Sequence, residues 1–307
     1  MRAAASGPRV ASAAACGAIA IWSLNALAGG AALAHLTVLQ VLSLQFGGAF
    51  VVLAIARGLR PGRTAATVRP TLVIAIGVVG LTGTIAMQYL AFATAPLVAA
   101  NAIAYAWPLL AVAWNAVIPP ARGSRASLAL AVVGFGGVVL LFAARDGAGA
   151  AGSAPVLGYV AALLSALAMA GYTLTAGRSG ARTSDLLLVG TGAGALGTLP
   201  AALLEGAAWS PVWAVALSLG IGVAMMALGY GLWTRAMADP VGVRLAPAAY
   251  LTPLLSTALL LATGERLSPL GLLGCALIVL CATGAVFDVM PRRPRGRIAA
   301  MRSPATP

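Results

Sequence analysis

Two short strings carry the side chains best suited to holding a solute. Tyr105-Ala106-Trp107-Pro108 and Tyr250-Leu251-Thr252-Pro253 stand 145 residues apart, and each runs on into Leu-Leu. Tyrosine and tryptophan offer an aromatic face for stacking and a polar edge for hydrogen bonding. Proline has no N–H, so in a helix the carbonyl four residues back loses its donor. The carbonyls of Ala104 and Ala249 are therefore left to receive an ammonium group or a water. Helical spacing puts Asn101, Tyr105 and Pro108 on one face, with Trp107 and Trp114 nearly opposite. It also groups Ala246, Tyr250, Pro253 and Thr257. The two tyrosine faces are expected to line a cavity, with Pro108 and Pro253 as hinges. Gln88 and Asn25 add amides inside apolar segments, where each needs a partner on another helix, a water or a bound solute. Tyr172, Tyr230 and Trp233 complete the candidate substrate-binding set. For Trp107 the competing role is packing, and for Gln88 it is helix–helix hydrogen bonding.

This is a chemistry of binding, with no sign of bond cleavage. The chain has one His and three Cys, without the spacing of a metal cluster, and no Walker loop. Gly134-Phe135-Gly136 lies in an apolar run and not after a strand, so it is no dinucleotide loop. Neither an enzyme nor a cofactor is expected. Cys16, Cys275 and Cys281 all fall within apolar segments, which argues against a disulfide framework.

The elements that must position these residues are membrane helices. Hydrophobic residues make up 61% of the chain and charged residues 8%, outside the range of a soluble domain. About 20 apolar residues cross a bilayer core as a helix, and ten runs supply that. They lie near residues 10–33, 36–56, 71–92, 97–118, 126–144, 156–176, 186–204, 212–233, 241–263 and 268–287. Their length and lack of alternation exclude a β-barrel. If the N-terminus is cytoplasmic, seventeen of the nineteen Arg fall on the inner side, and only Arg145 and Arg266 fall outside. The net charge of +13 is thus read as a topology signal spread over short loops, and no nucleic-acid partner is expected. The basic tail, residues 291–307, is expected to be disordered, cytoplasmic and close to anionic lipid.

Ten spans divide into two fives, residues 1–145 and 146–290. Besides the Tyr-x-x-Pro-Leu-Leu strings, Ile21 to Asn25 sits where Met169 to Tyr172 sits in the second half, and Gln88-Tyr89 echoes Tyr230 to Trp233. Because five is odd, the second half inserts the opposite way, which makes the repeat inverted, an architecture suited to alternating access. No acid lies at the centre of any span: Asp146, Asp185, Glu205, Asp239, Glu265 and Asp288 all map to ends or loops. Intramembrane carboxylates usually carry ion coupling, so a uniporter or facilitator is expected. Such a bundle encloses a pathway within one chain, and a monomer is the default.

Three strings together resemble a known family. Gly229-Tyr230-Gly231-Leu232-Trp233, then Tyr250 to Leu259, then Gly264-Glu265-Arg266-Leu267-Ser268 are similar to the drug/metabolite transporter superfamily, and the last is characteristic of its EamA branch. Within that branch the two Tyr-x-x-Pro strings resemble bacterial aromatic amino acid exporters. The first half departs from the pattern, ending Ile118-Pro119-Pro120 without a Gly-Glu turn. The resemblance implies an all-α inner-membrane protein exporting aromatic and other large neutral amino acids. The alternatives left open are efflux of a nucleoside, nucleotide sugar or toxic compound, with or without proton coupling, and a non-transporting membrane scaffold.

Overall fold

The computed structural model describes residues 7–59, 68–95, 103–117, 125–143, 156–239, 242–261 and 268–289. These residues are almost wholly helical, with no strand among them. Asn101, Pro96, Pro240, Glu265, Arg266 and the basic tail lie outside the described residues.

The first segment, α1, covers Pro8–Leu33 and is interrupted by a turn at Leu24 that restarts the helix at Asn25. A capping box begins α2, Val38–Gly58: Thr37 Oγ1 accepts from the Gln40 amide at 3.1 Å, and the Gln40 side chain accepts from the Thr37 amide at 3.0 Å. The third segment, α3, runs Pro70–Ile74, widens into a π-helix over Ala75–Thr82 and resumes as α-helix over Gly83–Thr94. Then come α4, Trp107–Val117, α5, Arg125–Ala143, α6, Val156–Thr175, and α7, Thr183–Leu204. The eighth, α8, spans Val212–Met237 and contains a second π stretch, Val223–Gly229. A 3-10 helix over Gly242–Tyr250 leads into α9, Leu251–Leu261, and α10 is Pro269–Val289. Six segments (α1, α2, α3, α6, α7 and α8) are long and apolar enough to cross a membrane.

Two expected helices change character where they matter. In the segment expected over 97–118, the chain turns at Tyr105 and Ala106, so Pro108 sits in the first turn of α4, where its missing N–H costs nothing. The helix expected over 241–263 is overwound through its first nine described residues, with Pro247 inside the 3-10 stretch. At three residues per turn, as against 3.6, the face presented by each residue drifts from the α-helical expectation.

Packing follows a regular scheme. The broadest pairings are α5 with α10, α2 with α7, α3 with α6, and α1 with α8. Exchanging the first five segments for the last five carries this scheme onto itself. The close crossings obey the same exchange. A Cβ on Gly77 in α3 would meet the Leu186 carbonyl and Gly190 amide of α7, whereas one on Gly222 in α8 would meet the Gln45 backbone of α2. Both crossings need the absence of a side chain so that backbones can touch.

Opposite ends of the α2–α7 pair are fastened differently. At one end Arg57 Nε lies 3.2 Å from Asp185 Oδ1. At the other, Thr37 Oγ1 donates to Glu205 at 2.5 Å, and Gln40 Nε2 donates to the carbonyls of Ala207 and Ala208.

Candidate functional site

A cavity of about 280 Å³ opens between α1, α2, α3, α4, α6, α8 and the start of α9. One part of its wall is amide and hydroxyl. Asn25 enters just after the turn in α1, Gln45 comes from α2, and Thr84, Gln88 and Tyr89 come from the α-helical part of α3. Gln45 Nε2 donates to the Tyr89 hydroxyl at 3.0 Å. A Cβ placed on Gly29 would lie 3.6 Å from that hydroxyl and 3.9 Å from Asn25 Oδ1, so the three polar groups gather at one end.

Another part of the lining is aromatic and thioether. Trp22, Trp107, Tyr230, Met169, Met225 and Met226 form it. Met225 and Met226 belong to the π stretch of α8, and Tyr230 follows it directly. The Met225 carbonyl accepts the Tyr230 amide across the π turn and also accepts Trp22 Nε1 at 3.3 Å. Rings then succeed one another: Tyr172 against Tyr230 at 5.2 Å, Tyr230 against Trp22 at 5.3 Å, Trp22 against Trp233 at 5.5 Å and Trp233 against Trp107 at 5.4 Å. These spacings and their tilted or edge-on angles suit aromatic quadrupoles. Among the described residues no charged side chain lines the cavity.

The residues expected at a site fall into three groups. Asn25, Gln88, Tyr105, Trp107 and Tyr230 line the cavity. Tyr105 and Trp107, expected on opposite helix faces, share its wall because the turn at 105–106 replaces helical spacing between them. Tyr172 and Trp233 stand behind the wall, buried and held by hydrogen bonds. The Tyr172 hydroxyl lies 2.6 Å from Thr234 Oγ1, and Trp233 Nε1 donates to Thr173 Oγ1 at 3.1 Å. They position the lining rings and do not themselves reach the cavity.

Tyr250 is placed elsewhere. It is fully buried against Val138, Ile278 and Cys281, with its ring over Gly134. The overwound 3-10 stretch turns Tyr250 away and presents Ala249 and Thr252 to the cavity. Pro253 follows Thr252 inside α9 and is buried. Asn101 is outside the described residues. Ala104 and Ala249, which stand four residues before Pro108 and Pro253, both line the cavity.

Sequence reasoning missed Gln45, Thr84, Ser165, Thr252 and the three methionines as lining residues. Gln45 carried a usable signal, an amide near the middle of an apolar run. The methionines carried none, since a thioether in a membrane helix reads as ordinary packing.

Known proteins match most of the chain. No family model matches the chain. It is 34% identical over 287 residues to the aromatic amino acid exporter YddG of Ancylobacter novellus, an alignment spanning 90% of this chain and 96% of that protein. A solved crystal structure of a protein 29% identical superposes with a TM-score of 0.77, covering 91% of this chain and 98% of the other. The chain is a multi-pass membrane protein and belongs to the drug/metabolite transporter superfamily, in its EamA branch.

Proposed function

We propose that this protein exports amino acids, favouring aromatic and other large neutral ones, across the inner membrane by alternating access. The observation that carries the reading is the mixed lining: Trp22, Trp107, Tyr230 and three methionines share the cavity with amides and hydroxyls, with no charge among the described lining residues. Burying a net charge without a partner is costly. A zwitterion brings none, and its two charged groups can be met by dipoles while its side chain packs on rings and sulfur. The volume sits near the lower end of the roughly 300–1,000 Å³ usual for small-molecule pockets, which suits an amino acid better than a nucleotide sugar. Arg235 and Arg244, the cations a phosphate-bearing cargo would want, are not on the cavity wall.

The architecture we infer is ten spans in two inverted repeats, residues 1–145 and 146–290, with both termini cytoplasmic. Supporting it are the interchangeable packing scheme, the π stretches in α3 and α8, and the glycine crossings at Gly77 and Gly222. With that orientation the cavity extends outward along α1 as far as Leu33. It is closed inward by Tyr172, Thr173, Trp233 and Thr234 and by the packing of Gly177 on Met237 and Ala238. Exchange of open and closed ends between the halves moves the solute. With no carboxylate among the described lining residues, the concentration difference drives it. The working unit is a monomer, with its basic tail against anionic lipid.

The test is efflux from proteoliposomes preloaded with radiolabelled Trp, Phe, Thr or uridine, with and without a pH gradient. Efflux of Trp and Phe but not uridine, in both conditions, is expected. Uridine efflux without any amino acid efflux overturns the substrate class, and efflux only under a proton gradient overturns the uniporter.

A further inference from the structure

Among the described residues, a buried hydroxyl on the cavity wall is left without a partner. Thr252 lines the wall, is 5% exposed, and its hydroxyl makes no hydrogen bond. Buried hydroxyls are nearly always partnered, so such an orphan marks a place where a partner arrives. Three residues earlier, Ala249 lines the same cavity, and Pro253 brings no N–H to its carbonyl. Ala104 lines the cavity too, at the turn that precedes α4.

We propose that Thr252 is the ammonium-recognising residue of this transporter, its Oγ accepting one N–H of the substrate amine while the carbonyls of Ala249 and Ala104 accept the others. An ammonium has three donors and no acceptor, and this corner offers acceptors. A carboxylate placed here would face carbonyl oxygens and be repelled, so it belongs at the amide-rich end near Asn25 and Gln88. The subsite rests on the amino acid reading above, and it fixes which way round the substrate lies.

Thr252→Val keeps the shape of the side chain and removes the hydroxyl, whereas Thr252→Ser keeps the hydroxyl. Competition against phenylalanine efflux uses phenethylamine, which retains only the ammonium, and 3-phenylpropionate, which retains only the carboxylate. The Val variant is expected to raise KM for phenylalanine about tenfold, the scale of a hydrogen bond to a charged group. It should weaken phenethylamine equally and leave 3-phenylpropionate unchanged, with Ser restoring wild-type values. If the Val protein is not recovered folded, Thr252→Ala takes its place in the same assay. A KM within twofold of wild type, or equal loss for both analogues, overturns the subsite while amino acid export stands. Failure of the wild-type protein to move any amino acid overturns the function itself.

Discussion

Tyr105 and Tyr250 occupy matching places in two nearly identical strings, yet one faces the cavity and the other is sealed in the core. The segments around them explain the difference. A turn at Tyr105–Ala106 swings the first tyrosine inward beside Trp107, and the 3-10 stretch Gly242–Tyr250 rotates the second outward and brings Thr252 in its stead. The backbone crossings, by contrast, correspond closely. Gly77 lies on Gly190 and Gly222 lies on Gln45, with both members of each pair offset by the same 145 residues. What these corresponding positions share is scaffold; where they differ, Trp107 against Thr252 and Gln45 against Gly190, the lining is asymmetric. A two-ended substrate needs such asymmetry, because a strictly duplicated wall could not tell amine from carboxylate.

The largest effect should come from truncating the two tyrosines. Tyr250→Ala removes a fully buried ring from the cluster with Val138, Ile278 and Cys281, and such truncations cost about 3–5 kcal/mol. Recovery of monodisperse protein and its melting temperature in detergent should both fall. Tyr105→Ala should instead leave recovery near wild type and lower transport. Tyr250→Phe is the control: it keeps the buried ring and removes only a hydroxyl beside the Leu109 backbone, so stability and transport should fall far less than in Tyr250→Ala. Equal loss of recovery in the two Ala variants would undo the contrast between cavity and core.

Much of this was legible in the chain, for reasons that differ by residue. Asn25 and Gln88 stood out because an amide among Leu and Ala must find a partner. Trp107 and Tyr105 stood out through the repeated motif. Gln45 was equally legible by the amide rule and was passed over, although it bonds Tyr89 inside the cavity. What no pattern of apolar residues displays is a change of helical winding. Ala75–Thr82 and Val223–Gly229 read as ordinary helix, yet their π geometry sets how Thr84, Met225, Met226 and Tyr230 meet the wall. The 3-10 stretch likewise hid the exchange of Tyr250 for Thr252.

A smaller effect tests the shared scaffold. Gly222→Ala drives a methyl into the Gln45 backbone, and Gly77→Ala drives one into Leu186 and Gly190. Backbone cannot yield as a flexible side chain can, so each should cost about 1–3 kcal/mol, the usual scale of overpacking. Because the crossings are equivalent, melting temperatures in detergent should fall for both. A drop confined to one variant would argue that the correspondence between α3 and α8 is superficial. Below that lies Gln45→Leu, which removes the bond to Tyr89 in the first half only. Its cost in stability should be about 1 kcal/mol, and KM for phenylalanine should rise severalfold in the liposome assay. An unchanged KM would place Gln45 in packing alone.

The smallest expected change concerns the ends of the α2–α7 pair. Arg57 and Asp185 are 38% and 27% exposed, so solvent screens their attraction, and exposed pairs are worth about 0–1 kcal/mol. Arg57→Ala should therefore barely move the melting temperature. Its kinetic consequence is more informative. The pair fastens the end that is closed, under the orientation proposed, whereas Thr37, Gln40 and Glu205 fasten the other. Both fastenings are made together in this structure, which opens outward under that orientation, so losing either should favour the inward-open form. Accessibility of a single cysteine placed at Gly29, in a background lacking Cys16, Cys275 and Cys281, reports the balance. Arg57→Ala and Thr37→Ala should both slow its labelling by an external thiol reagent. Unchanged labelling in both variants would mean that neither end yields during transport, and the α2–α7 pair would then be a fixed strut.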